Sequence, residues 1–263
     1  MKPIVSFDVD MTLLDHKDWT IPASALETIE KLRENYTIVL ATGRDMDSIF
    51  STAIRDQVRP DAIIHLNGTK VTVGDQIIYE HTFDKVLLKE ILAYAEKTPY
   101  SVGTTVGDWD YYVNPEVVKR HDATLWGECG RRFEDPGKLV ELEVRTMAYI
   151  GDEAGAKAME EQFPDIHVHM FADKRGADVV ERKASKAMGL IRLCDYLKIP
   201  LTETIAFGDS MNDYDIIKIA GKGIAMGNAM TELKKAADYV TDPIDQEGIK
   251  NACLHFGMIR QED

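Results

Sequence analysis

The sequence is poor in the features of secreted, membrane and nucleic-acid-binding proteins. Its cysteines, Cys129, Cys194 and Cys253, number only 3 in 263 residues and form no CxxC pair. Neither a disulfide framework nor a zinc site is expected, and the three are read as small buried apolar residues. Long hydrophobic runs are missing too: stretches such as Ile38-Val39-Leu40-Ala41 fall far short of the roughly 18–20 apolar residues that cross a bilayer. The start does not read as a signal peptide, because Asp8 and Asp10 interrupt its apolar stretch too early. A cytoplasmic protein is therefore expected.

Positive charge is also scarce. Lys and Arg total 31 against 45 Asp and Glu, a formal net charge of −14 at pH 7. That charge repels nucleic acid and anionic membranes at long range, so neither is expected as a partner. It also repels phosphate esters, and a site for one would need local cations. An apolar content of 44% suffices for one large domain or two modest ones.

Short β-branched runs alternate with helical patterns, as in a parallel sheet with helices on both faces. A strand over 4–7 is followed by a helix over about 23–34, with Pro22 at its start and Leu26, Ile29 and Leu32 on its buried stripe. A strand over 37–41, a helix over 46–56 and a strand over 62–66 complete the first series. The pattern resumes with a helix over 185–197, a strand over 204–207, a helix over 212–220, a short strand over 223–225 and a last helix over about 246–255. The implied fold class is α/β, a Rossmann-like doubly wound parallel sheet. Between the two series, residues 70–73 and 76–79 flank Gly74-Asp75, a hairpin signal. Residues 83–182 then mix helices at 84–97 and 153–163 with strand-like segments near Tyr111, Met147, Val168 and Val179. They read as one α+β unit inserted into a discontinuous core of residues 1–82 and 183–263.

Ligands of open α/β sheets bind beyond the carboxyl ends of the strands. Three polar clusters follow strands here: Asp8-Val9-Asp10-Met11-Thr12, Thr42-Gly43-Arg44 and Gly208-Asp209-Ser210-Met211-Asn212-Asp213. Asp8 and Asp10, one residue apart, can share a cation or a proton that relieves their repulsion. The oxygen-only set Asp8, Asp10 and Asp209 suits Mg²⁺, whereas a transition metal would more often recruit His or Cys. Lys186 begins a helix, where its charge and the helix N-terminus both favour phosphate. Thr42 can donate to a phosphoryl oxygen and Gly43 permits a tight turn. The Arg44 fork suits a substrate oxyanion or a nearby acid equally.

These clusters together with Ser185-Lys186 resemble the four ordered motifs of the haloacid dehalogenase superfamily, and the insert resembles the larger cap of its Cof-type, or IIB, branch. Asn67-Gly68 and Met226-Gly227-Asn228-Ala229 are similar to segments of that branch. The resemblance implies a phosphatase of small phosphorylated molecules that needs Mg²⁺ and has 83–182 as its cap. Asp8 would attack phosphorus, and Asp10 would protonate the leaving alcohol and then activate water. Thr42, Lys186 and Asn212, with Thr12, Gly43 and Arg44, would hold the phosphoryl group or substrate. Asp209 and Asp213, with Asp8 and Asp10, would bind or orient the metal. Lys183 is the neighbouring alternative to Lys186, which is preferred for its Ser-Lys helix start. Met11 stands where the branch usually has Gly and is expected to narrow the mouth of the site.

Other features have plainer readings. His167 and His169 share one face of a strand and are read as solvated or cap-facing rather than as a metal pair. Trp109, Tyr111 and Tyr112 suit strand packing, and Lys174-Arg175-Gly176 a solvated turn. The competing functions are a phosphomutase or disaccharide-phosphate phosphatase of the same superfamily, and a non-enzymatic receiver module. The inserted unit and the cluster at 208–213 argue against the receiver. The oligomeric state is not legible.

Overall fold

A computed structural model describes residues 2–49, 51–125, 127, 130–171 and 174–260. Cys129 lies outside the described residues. The chain divides into two units, Met1–Glu80 with Ala184–Asp263, and His81–Lys183.

The first unit opens with β1 (Ile4–Phe7), α1 (Ala23–Leu32), β2 (Thr37–Ala41), α2 (Thr52–Val58), β3 (Ala62–His65), β4 (Lys70–Val73) and β5 (Gln76–Glu80). All four residues of β1 are buried, as is usual where a parallel strand is covered on both faces. In α1, Ala25, Thr28, Ile29 and Leu32 form the buried stripe that helical periodicity requires. The hairpin of β4 and β5 turns at Gly74, whose φ of +53° is the left-handed conformation such a turn needs.

The inserted unit contains α3 (Lys85–Ala95), β6 (Ser101–Val106), β7 (Trp109–Tyr112), α4 (Pro115–Leu125), β8 (Phe133–Glu134), β9 (Met147–Ile150), α5 (Glu153–Gln162), β10 (Ile166–Met170) and β11 (Gly176–Glu181). Its sheet runs β10-β11-β9-β6-β7-β8, antiparallel except for the β7–β8 pair. Leu88, Ile91, Val102, Tyr149, Met159 and Val179 belong to its core. Asp84 caps α3 by accepting from Val86 N–H and Leu87 N–H.

The chain then completes the first unit with α6 (Lys186–Leu197), β12 (Thr204–Gly208), α7 (Tyr214–Ile219), β13 (Lys222–Ala225), α8 (Thr231–Ala236), β14 (Tyr239–Val240) and α9 (Gly248–His255). The sheet order is β14-β13-β12-β1-β2-β3-β4-β5, parallel through β3 and antiparallel in the last two pairs. From β1 the chain winds outward through β2 and β3, and later in the opposite direction through β12, β13 and β14. The order therefore reverses between β1 and β12, the switch point at which such sheets bind ligands.

Helices α2 and α7 start later than the sequence suggests. The segment expected to be helical from 46 becomes α2 only at Thr52, because side chains satisfy its early N–H groups: Met46 N–H donates to His65 Nδ1 (3.2 Å) and Asp47 N–H to Asp45 Oδ1 (3.1 Å). Residues 211–213 form a 3₁₀ turn, Met211–Asp213, ahead of α7. Strands β6, β8 and β14 and helices α4 and α8 add to the expected elements. Cys194 and Cys253 are buried, and burial pushes their thiols up to about 11 and about 12. Among the described residues no helix is long and apolar enough to cross a membrane.

Candidate active site

Three carboxylates meet where β1 and β12 end. Asp8, Asp209 and Asp213 are all buried and offer oxygens within 4.8 Å of one another. Between them sits Lys186, whose Nζ donates to Asp8 Oδ1 and Asp213 Oδ1, each at 2.6 Å. Lys186 is only 1% exposed, so its ammonium has exchanged water for these anions.

Local structure delivers each group. Ser185 caps α6 by accepting from Met188 N–H (3.2 Å), which starts the helix at Lys186. Gly68, at φ +90°, lies so close to this start that a Cβ there would stand 2.0 Å from the Ser185 carbonyl oxygen. Leu66 and Asn67 are also left-handed, at φ 50° and 53°, making three successive strained or glycine-dependent residues beside the site. Asp213 Oδ2 accepts from Asp209 N–H (3.0 Å) and Ser210 N–H (3.1 Å), closing the turn after β12. A Cβ on Gly208 would come within 2.5 Å of Asp213 Cβ, so this turn needs glycine.

The electrostatics show why a cation fits. One ammonium faces three buried carboxylates. Burial pushes Asp8 up to about 7, with Asp213 and Asp10 adding to the rise and Lys186 opposing it. Asp209 is raised as well, by burial and then by Asp8 and Asp213. Burial pulls the Lys186 value down, but its two anionic partners outweigh that and hold it above the ordinary lysine value. An all-oxygen set with surplus negative charge is the donor chemistry of a hard divalent cation.

Asp10 stands apart from this cluster. The sequence reading counted it among the metal carboxylates, but its side chain turns to Arg44, whose Nε reaches Oδ2 at 2.7 Å and whose Nη2 reaches Oδ1 at 2.6 Å. His16 Nε2 also lies 2.7 Å from Oδ1. Burial raises Asp10, but the Arg44 and His16 hydrogen bonds outweigh it and hold the carboxyl below the usual range. Of the two partners open to the Arg44 fork, this arrangement uses the acid.

The remaining sequence candidates have partners of their own. Thr12 Oγ1 lies 3.5 Å from Asp209 Oδ1. Thr42 is fully buried at the end of β2, its hydroxyl accepting from Arg44 N–H at 3.1 Å, with half-buried Gly43 between them. Asn212 donates to Asn67 Oδ1 (3.0 Å) and accepts from Ser210 Oγ (2.7 Å). Lys183 is exposed and pairs with Glu181 at 3.0 Å. Met11 adopts φ 60°, and its carbonyl accepts from Asn228 Nδ2 at 2.8 Å. His167 and His169 stack on one face of β10, and His167 Nε2 lies 3.2 Å from Arg182 Nη1. Tyr111 and Tyr112 are buried in the inserted unit, whereas Trp109 is exposed.

Sequence reasoning gave no role to His16 or Asn67. His16 had no motif signal. Asn67 had one, its left-handed Asn-Gly pair, but not the partner that gives it meaning.

A doubly wound sheet with an inserted α+β cap, and acids and a lysine at its switch point, defines the class. The chain belongs to the haloacid dehalogenase-like hydrolases, whose family pattern matches residues 5–253. Phosphatase YwpJ of Bacillus subtilis (strain 168) is 29% identical over 289 residues, covering 96% of this chain and 99% of that protein. The HAD subclass IIB sugar phosphatase BT4131 is similar in structure, with a TM-score of 0.87 and 29% identity over 98% of this chain and 100% of that one. BT1666 from Bacteroides thetaiotaomicron, a phosphatase of the same superfamily, gives a TM-score of 0.89 and 27% identity over 98% of this chain and 96% of its own.

Proposed function

We propose that the protein hydrolyses small phosphate monoesters, sugar phosphates first, in a Mg²⁺-dependent reaction through an aspartyl phosphate on Asp8, with residues 81–183 serving as its cap. The observation that carries this reading is the buried Asp8, Asp209 and Asp213 cluster around Lys186. The likeness to a sugar phosphatase supports the substrate class.

Asp8 and Asp209 would hold the ion. Asp213, whose Oδ1 already accepts from Lys186 and whose Oδ2 accepts from two backbone N–H groups, would orient them. Bound there, Mg²⁺ would offset the charge of the carboxylates and of the phosphoryl oxygens. Lys186 fixes Asp8 Oδ1 and adds a positive charge where negative charge develops. Thr12, Thr42, Gly43 and Asn212 supply hydroxyl, backbone and amide donors for the phosphoryl group.

In the first step an Asp8 oxygen forms a bond to phosphorus, the bond to the ester oxygen breaks, and Asp10 gives that oxygen a proton. In the second, Asp10 takes a proton from water as the water oxygen attacks phosphorus, releasing phosphate and restoring Asp8. This division turns one hard displacement into two easier ones. Asp10 as held by Arg44 and His16 is ionised, the form needed for the second step. The first step requires the Arg44 fork to leave Asp10, and a substrate oxyanion is the partner that suits it.

Phosphate release from a panel of phosphorylated metabolites, with and without Mg²⁺, tests the proposal. Metal-dependent turnover of sugar phosphates is expected. Interconversion of sugar phosphates without phosphate release would make the protein a mutase, and only slow loss of its own phosphoryl group would make it a receiver.

A further inference from the structure

The loop after the nucleophile holds an aromatic pair that the four motifs leave unused. Asp15 N–H donates to the Thr20 carbonyl (2.9 Å), and Trp19 N–H to that of Asp15 (2.8 Å). Lys17 N–H donates to Asp15 Oδ1 (2.9 Å), while Thr20 donates to Asp18 Oδ1 from both N–H (3.0 Å) and Oγ1 (2.6 Å). This short, heavily bonded loop sets Trp19 at φ 59°, a conformation that bulky side chains rarely take. It nevertheless leaves Trp19 51% exposed. The indole stacks on the His16 imidazole at 4.4 Å between centroids and 19° between planes. His16 in turn lies 2.7 Å from Asp10.

We propose that His16 and Trp19 form a stacking platform for the alcohol portion of the substrate, selecting phosphate esters that present a flat ring face. The inference rests on the phosphatase reading. Asp10 must reach the ester oxygen, so the carbon skeleton attached to that oxygen lies on the Asp10 side of phosphorus. Two side chains flank Asp10 there: Arg44 offers charge, while His16 backed by Trp19 offers a broad aromatic surface. A ring laid on the imidazole, which the indole backs and holds in place, gains packing area and contact with an aromatic face, whether it brings sugar C–H groups or its own π system. Residues held in the left-handed region cluster at functional sites, and Trp19 keeps an exposed indole in that conformation. The platform belongs to the catalytic unit, so it would confer ring preference independently of residues 81–183.

The test measures kcat and KM with Mg²⁺ for glucose 6-phosphate, phenyl phosphate and the ringless glycerol 3-phosphate, in the wild type, Trp19→Ala, Trp19→Gly and Trp19→Phe. The glycine variant accepts the left-handed backbone without strain, so it guards against loss of folding in the alanine variant. Alanine and glycine should each lower the ratio of ring to ringless kcat/KM by about tenfold, through KM, and phenylalanine should retain part of it. A fall confined to glucose 6-phosphate identifies a sugar face as the ligand, and one confined to phenyl phosphate an aromatic ring. If the wild type hydrolyses these esters but the alanine and glycine variants slow all three equally, Trp19 is structural and the platform is refuted. If the wild type releases phosphate neither from these three nor from any member of the metabolite panel, the phosphatase reading itself falls.

Discussion

Lys186 Nζ donates to Asp8 Oδ1 at 2.6 Å across a sequence separation of 178 residues, and both groups are buried. Each has a strong claim on the other, because neither has water to fall back on.

Removing that ammonium should therefore harm both stability and chemistry. Lys186→Met keeps the length of the side chain but leaves Asp8, Asp209 and Asp213 without their internal cation. In metal-free buffer a loss of about 3–5 kcal/mol is expected, as when one partner of a buried pair is deleted. Denaturant unfolding measures it, and saturating Mg²⁺ should restore part. The rate should fall about 10²–10³-fold even with metal, since a charge aimed at the phosphoryl group is gone. A variant of wild-type stability without metal would contradict the charge balance described for the cluster.

The pH dependence of stability follows from Asp8. Its carboxyl is pushed up from 3.8 to about 7 in the folded, metal-free protein, chiefly by burial. A group raised on folding stabilises the protein fully below its unfolded value and loses that contribution as pH rises through the folded one. Asp209 is shifted in the same direction. The metal-free protein should therefore weaken over this interval, from about pH 4 to about pH 7. Mg²⁺ binds the ionised carboxylates, so the rise in Tm that it causes should be larger at about pH 8 than at about pH 5. Equal shifts at the two values would show that these acids do not set the metal affinity.

The fold was largely legible because covered parallel strands appear as short continuous apolar runs, each followed here by its polar cluster. Asp8 after β1, Thr42 after β2 and Asp209 after β12 needed no tertiary information to be noticed. What the sequence hides is the choice of partner. Arg44 had two chemically equal options, and only the folded chain pairs it with Asp10. Asn67 and Asn212 meet from 145 residues apart. The late start of α2 has the same origin, since His65 lies in another strand and no local propensity reports the N–H group that it captures. Helix α4 was overlooked despite Pro115 at its first position, a recognised helix-start signal.

At Met11 the backbone conformation and the side chain are at odds. The φ of 60° favours glycine. Met11→Gly should exceed Met11→Ala in stability by about 1–2 kcal/mol, because both lose the side chain and only glycine loses the left-handed penalty. Thermal or chemical denaturation of the pair isolates that difference. If the side chain also narrows the mouth of the site, Met11→Gly should lower KM for bulky esters more than for small ones. Unchanged kcat/KM ratios across a size series would leave Met11 a packing residue only.

Asp8 and Asp10 carry identical functional groups in opposite surroundings, one raised by burial and one lowered by Arg44 and His16, so the proposed roles should separate on mutation. Asp8→Asn removes the nucleophile, and no aspartyl phosphate should form with any ester. Asp10→Asn retains the nucleophile but loses the proton donor and later base, help worth roughly 10²–10⁴-fold. An aryl phosphate with a good leaving group needs little of the acid part, so this variant should still be phosphorylated and then stall, its water no longer activated. Mass spectrometry after quenching should find a phosphoryl group on Asp8 in the Asp10 variant and none in the Asp8 variant. Because Asp10→Asn also releases Arg44 from its ion pair, the binding of inorganic phosphate should tighten in that variant, which isothermal titration would measure. A label on Asp10, or undiminished phosphate release by Asp8→Asn, would reverse the assignment of the two acids.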